Sequence, residues 1–243
     1  MKTKLFKLML GAGLILAIMS CENKNTNIIP SSNISSEYMD ISGYSGLEID
    51  ATFLAEVNFT DSEEPIEIIA NENLHSHVII EKVSDVLKVR LSDNVNISGP
   101  ATLKVILKTG FISSYRAGGA SEISLMDTLS SNMVHISLYG ASKMNGPIAV
   151  QSLITDLNDA SSLDINGTAV NFEINASGAS KASDYNFACD YLDARLSDAS
   201  EARFTVLKEI EITASGASNL FYKGDAVITS QSLTGASTIV KVD

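Results

Sequence analysis

Apolar and polar side chains alternate through most of the chain, and in its C-terminal half one small tripeptide punctuates the alternation. It recurs as Gly119-Ala120-Ser121, Gly140-Ala141-Ser142, Asp159-Ala160-Ser161, Gly178-Ala179-Ser180, Asp198-Ala199-Ser200, Gly216-Ala217-Ser218 and Gly235-Ala236-Ser237. Successive first positions differ by 21, 19, 19, 20, 18 and 19 residues. A fixed period of this length marks a solenoid, each repeat being one winding. Two residues before each Gly or Asp stands an apolar column: Ala117, Leu138, Leu157, Ala176, Leu196, Ala214 and Leu233. Four residues after it stands another: Ile123, Met144, Leu163, Ala182, Ala202, Leu220 and Ile239. The positions three before it are polar: Arg116, Ser137, Asp156, Asn175, Arg195, Thr213 and Ser232. A period of two with one apolar side is a strand with one buried face, whereas a helix needs apolar residues three and four apart.

Gly and Asp share a reason to occupy one column. Gly accepts positive φ freely, and Asp tolerates left-handed backbone while bonding its own main chain. A sharp bend is therefore expected at Gly119, Gly140, Asp159, Gly178, Asp198, Gly216 and Gly235. Counting the alternation back from the later apolar column turns Ser inward, where its hydroxyls would bond one another and the bend; whether Ser or Ala points inward stays open. Coils stacked about 4.8 Å apart bury these columns in one core, and about seven would make a rod about 35 Å long. The fold expected for residues 111–243 is all-β, a single-stranded parallel β-helix. Residues 44–110 lack the triplet but still alternate, as in Leu47-Glu48-Ile49-Asp50, and read as a strand-rich N-terminal cap. The last segment, Thr238 to Asp243, shows no evident cap. Lys241 and Asp243 would discourage edge pairing there; the alternative is an end-to-end homodimer.

The opening of the chain is of another kind. Lys2, Lys4 and Lys7 precede an apolar run from Leu8 to Met19, so residues 1–20 read as a lipoprotein signal peptide, too short to span a bilayer, which takes about 20 apolar residues. Ile18-Met19-Ser20-Cys21 resembles a bacterial lipobox, in which Cys21 receives the lipid and becomes the mature N-terminus; Met19 departs slightly from the usual choice. The alternative is an ordinary secreted protein with an incidental cysteine. Acyl chains hold through buried methylenes at about 0.8 kcal/mol each. The expected location is thus the cell envelope, lipid-anchored, at the outer membrane. Residues 21–43 are rich in Asn and Ser without periodicity and read as the lipidated cysteine followed by a flexible tether.

Charge excludes one class of partner. Without the leader's three lysines, 17 basic side chains fall to 14 against 29 acidic ones, a net charge near −15. Nucleic-acid binding draws its affinity from Lys and Arg neutralising phosphates, so no nucleic acid is expected. With Cys21 lipidated, Cys189 has no intramolecular partner and reads as a small core hydrophobe.

Parallel β-helices also host polysaccharide lyases and hydrolases, whose chemistry needs carboxyls facing one another across a groove. Two outward sets are candidates: Asp156 with Asn175 and Arg195, and an acidic face of Glu173, Asp193 and Glu211. The second suits either a calcium ion or a solvated surface, and the abundance of acids favours the surface. His75-Ser76-His77 puts two imidazoles on one face of a strand, with no third ligand nearby, and reads as exposed histidines, not zinc. There is no tryptophan platform for sugars, and the tyrosines form no column. Asp127-Thr128-Leu129 resembles an O-glycosylation site of exported proteins. No catalytic residue, metal or cofactor is expected.

The lipobox, the opening Tyr44-Ser45-Gly46-Leu47-Glu48-Ile49, the Asn71-Glu72-Asn73-Leu74 turn, the Val86-Leu87-Lys88-Val89 strand and the Gly-Ala-Ser coils together resemble the head GIN domain family, described as auto-transporter adhesins of bacterial envelopes. The likeness covers about Tyr44 to Asp243. It implies a right-handed β-helix and an adhesive role, and it carries over no catalytic residue. The partners it implies are the membrane, through the N-terminal lipid, and a glycan or protein surface ligand.

Overall fold

The computed structural model describes residues 26–243; the leader and Cys21 lie outside the described residues. The N-terminal part forms β1 (Thr26–Ile28), β2 (Ile34–Met39), β3 (Gly46–Ile49), β4 (Leu54–Phe59), β5 (Ile66–Asn71), a 3-10 helix (Glu72–His77), β6 (Val78–Val83), β7 (Val86–Leu91), β8 (Val95–Ile97) and β9 (Leu103–Thr109). The repeats form β10 (Ser114–Ala117), β11 (Glu122–Leu125), β12 (Leu129–Leu138), β13 (Lys143–Leu157), β14 (Ser162–Ala176), β15 (Lys181–Leu196), β16 (Glu201–Ala214), β17 (Asn219–Lys223), β18 (Val227–Leu233) and β19 (Thr238–Lys241). They wind into a parallel β-solenoid of about seven turns.

Every triplet is a bend. All seven first positions have φ between +61° and +72°, the left-handed region that both Gly and Asp tolerate. Asp adds a bond that Gly lacks: the Asp159 and Asp198 carboxylates accept from the N–H of Gly140 and Gly178, one coil back, at 3.0 and 3.1 Å. The bends also interlock through the backbone, Ala141 N–H donating to Gly119 O at 2.7 Å and Ala160 N–H to Gly140 O at 2.8 Å. The Ser column faces inward and is buried from Ser121 to Ser218, with Ser237 on the last coil half-buried, while Ala120, Ala160 and Ala199 are exposed. The serine hydroxyls do not bond one another. Several donate to main-chain carbonyls, Ser142 to Ala117 O at 3.0 Å and Ser200 to Ala176 O at 3.2 Å, whereas the Ser161 and Ser180 hydroxyls are buried without a partner.

Two sheets share the core. In the first, β7, β3, β10 and β12 stack in parallel and continue through the second halves of β13 to β16 into β18. In the second, β9, β4 and β11 continue through the first halves of β13 to β16 into β17 and β19. The long strands turn from one sheet to the other without a loop. At that second corner the buried positions skip a residue, from Val150 to Leu153, Ala169 to Phe172 and Cys189 to Leu192. Phe172, Phe187 and Phe204 meet edge to face behind it, with centroids 4.9 to 5.7 Å apart. Cys189 packs there as a small hydrophobe; burial, then the charge of Asp190, pushes its thiol up to about 12.

Residues 26–43 differ from the flexible tether expected of them. β1 pairs in parallel with β8, and β2 pairs with β5 over six residues. The segment is polar because β2 is an edge strand whose side chains are all exposed, so burial leaves no mark on its sequence. At this end both sheets finish in antiparallel strands, β6 on β7 in the first and β2 on β5 on β9 in the second. At the other end β18 and β19 each pair on one side only among the described residues.

Candidate functional site

The outer face of the first sheet, from β12 to β16, carries three side-chain columns fixed by register. One runs Met133, Ser152, Asn171, Tyr191 and Glu209; the next His135, Ile154, Glu173, Asp193 and Glu211; the third Ser137, Asp156, Asn175, Arg195 and Thr213. Both candidate sets therefore lie in file as their spacing implied, one strand separation per step.

What spacing alone did not reveal is how the columns join. Arg195 leans across to its neighbour and donates to Glu173 Oε1 at 2.8 Å and to Asp193 Oδ2 at 2.7 Å. Asn175 donates to Asp156 Oδ1 at 3.0 Å, and His135 Nε2 lies 2.7 Å from Asp156 Oδ2. Glu173 and Asp193 are thus bridged by one guanidinium, which offsets one of their two charges, with Glu211 one step beyond. Among the described residues no group of three or more His, Cys, Asp or Glu side chains gathers as metal ligands. Exposed ion pairs contribute at most about 1 kcal/mol each, so the ladder orders the surface more than it stabilises the fold.

Two shallow grooves flank the ladder. One, about 300 Å3, is lined by Asp156, Asn158, Asn175, Ser177, Arg195 and Thr213 and is rich in amides and hydroxyls. The other, about 270 Å3, holds Met133, Ile154, Tyr191, Glu173 and Asp193. Lys208 lies over the Tyr191 ring at 5.3 Å while its Nζ meets Asp190 Oδ2 at 2.8 Å. This face offers donors, acceptors and one exposed aromatic ring on a rigid sheet.

The remaining candidates lie elsewhere. His75 and His77 sit on the 3-10 helix, not on a strand, and their rings diverge. His75 is not exposed as expected: only 6% of its side chain reaches solvent, and Nε2 lies 3.0 Å from Ser35 Oγ on β2. His77 instead lies 3.5 Å from Ser92 Oγ. The surprise at His75 follows from β2, which the sequence concealed. Thr128 is exposed on the loop before β12, while Asp127 accepts from Phe59 N–H at 3.3 Å.

Solved structures share this architecture. A "putative adhesin" from Bacteroides fragilis NCTC 9343 is 14% identical, covering 88% of this chain and 100% of its own, with a TM-score of 0.80. A "putative lipid binding protein" from Parabacteroides distasonis ATCC 8503 is 16% identical over 90% of this chain and 100% of its own, with a TM-score of 0.75. A "putative adhesin" from Parabacteroides merdae ATCC 43184 is 17% identical over 89% and 99%, with a TM-score of 0.67. At these identities the likeness establishes the fold alone. No curated protein matches the chain. The model of one family, described as "Putative auto-transporter adhesin, head GIN domain", spans residues 43–226, coils and opening strands together, and the chain belongs to that family.

Proposed function

We propose that this chain is a non-enzymatic lipoprotein of the cell envelope, held to the outer membrane by a lipid on Cys21, that binds a glycan or a protein surface through the outer face of β12 to β16. The observation that carries the reading is the Arg195 ladder with its two grooves. An acid–base pair for hydrolysis needs carboxyls free to face a substrate, but here one arginine holds Glu173 and Asp193. A binding surface needs the opposite: side chains ordered beforehand, so that little conformational freedom is lost on contact. The hydroxyl and amide groove and the Tyr191 ring suit polar ligands laid across several coils.

The test is binding of the mature chain to glycan and host-matrix arrays. Binding is expected on at least one, weakened about tenfold or more by Arg195→Ala combined with Tyr191→Ala. Silence on both arrays removes the adhesive reading. Oligosaccharide release that is lost in Glu173→Ala would establish an enzyme instead.

A further inference from the structure

Little chain separates the described domain from the residue proposed to carry the lipid. Four residues, Glu22 to Asn25, lie between Cys21 and Thr26. Five Cα steps reach at most about 18 Å. Thr26 is already held, its N–H donating to Asn94 O at 2.7 Å as β1 pairs with β8. The chain then stays pinned to the same end of the solenoid. Asn73 Nδ2 donates to Ile29 O at 2.9 Å, Ser31 N–H to Asn73 Oδ1 at 2.8 Å, and Asn71 Nδ2 to Ser31 O at 2.7 Å. A lipid on Cys21 therefore brings this end of the rod to within about 18 Å of the headgroups.

The same stretch carries large apolar side chains in water: Ile29 is 76% exposed, Ile34 55% and Tyr38 69%. Ile34 and Tyr38 stand four residues apart and so share one face of β2. Opposite Ser36 on that face is Ile69, and Ile106 follows on β9, opposite Glu67. Polar groups among them are already engaged. Ser36 Oγ donates to Glu67 Oε1 at 2.9 Å, and Lys104 Nζ meets Glu56 Oε1 at 2.8 Å. Among the described residues β2 pairs with β5 alone, and a free edge with apolar side chains invites aggregation unless something covers it. Tyrosine and isoleucine beside polar groups suit the interfacial layer of a bilayer.

We infer that the face of β2 bearing Ile34 and Tyr38 rests in the headgroup layer of the membrane that holds the Cys21 lipid, so that the rod is docked on the bilayer, not suspended from it. The inference rests on the lipidation proposed above. The ladder on β12 to β16 belongs to the other sheet and stays in water, free for its ligand. The acidic surplus of the chain favours a zwitterionic over an anionic surface.

The absence of tryptophan from the sequence gives a clean test. Full-length Tyr38→Trp, Ile34→Trp and Tyr191→Trp proteins, purified from membranes, are reconstituted into phosphatidylcholine vesicles with brominated acyl chains. The expected result is strong quenching and a blue shift for Tyr38→Trp and Ile34→Trp, with Tyr191→Trp unaffected. Unquenched indoles at both β2 positions in protein that floats with the vesicles overturn the docking and leave lipidation standing. Equal quenching at Tyr191→Trp overturns it too, since the rod then lies on its ligand face. A mature mass without acyl chains removes the lipidation and the docking together.

Discussion

The first bend of the solenoid and the seven that follow share a geometry but not a sequence. In the repeats the left-handed position is Gly or Asp and an inward Ser follows two residues later, buried in all but the last coil. In the N-terminal region the same place is taken by Ala51, at φ +69°, and Phe53 fills the site of the serine. Ala51 lies directly beneath Gly119, so close that a Cβ added to Gly119 would stand 2.5 Å from Ala51 O. The coil is thus a property of stacking, and the triplet is its least strained expression. A non-Gly residue in this conformation costs about 1–2 kcal/mol, which the N-terminal coil carries because β3 and β4 are held by parallel partners above and below.

The largest test of this contrast lies just before the second corner of the repeats. Gly167 has φ +113°, and a Cβ there would overlap the Ile148 carbonyl oxygen of the preceding coil. Gly167→Ala is expected to destabilise by about 3–5 kcal/mol in urea unfolding, since backbone strain and a main-chain clash add. A near-neutral value would show that the corner can reshape. Asp198→Ala should lose about 2 kcal/mol, because the left-handed strain of alanine joins the loss of the acceptor for Gly178 N–H. The opposite sign is expected at Ala51→Gly, a gain of about 0.5 kcal/mol, since the relief of strain exceeds the added flexibility of the unfolded chain. A loss there would mean that the two bends are not equivalent.

At neutral pH the smallest effect belongs to two buried ionisable groups, whose contributions change only in alkali. Burial pushes the Cys189 thiol, in the repeats, from 9.0 up to about 12, and burial pushes the Tyr44 hydroxyl, in the N-terminal region, from 10.0 up to about 12. Both groups stay neutral when folded and ionise more readily when unfolded. Their contributions are therefore complete below pH 9 and pH 10, and are lost as pH rises towards 12. Cys189→Ala and Tyr44→Phe should each make the alkaline loss of stability shallower, the first from lower pH. Alkaline unfolding curves unchanged by either variant would refute the assignment.

Much of this was legible because a left-handed bend selects Gly and Asp, and because a fixed period fixes register. The alignment of Glu173, Asp193 and Glu211 followed from those two facts alone. Three features were not legible, each for a physical reason. The second corner is a skipped beat of burial between Val150 and Leu153, and it needs no special residue type at a constant offset. The strands β1 and β2 sit at an edge, where no buried face imposes alternation. The bridge from Arg195 to Glu173 and Asp193 depends on a long side chain leaning into the next column, which spacing does not encode.

Because each bend rests on an equivalent bend, the coil is also a unit of length. Excising residues 159–177 would set Gly178 on Gly140 with every column still in file, and inserting a coil would do the reverse. Relatives of this protein are therefore free to grow or shrink by whole windings. Such steps would carry the β12 to β16 face nearer to or farther from the N-terminal strands without rebuilding a core, and reach becomes a trait adjustable in increments of about 4.8 Å.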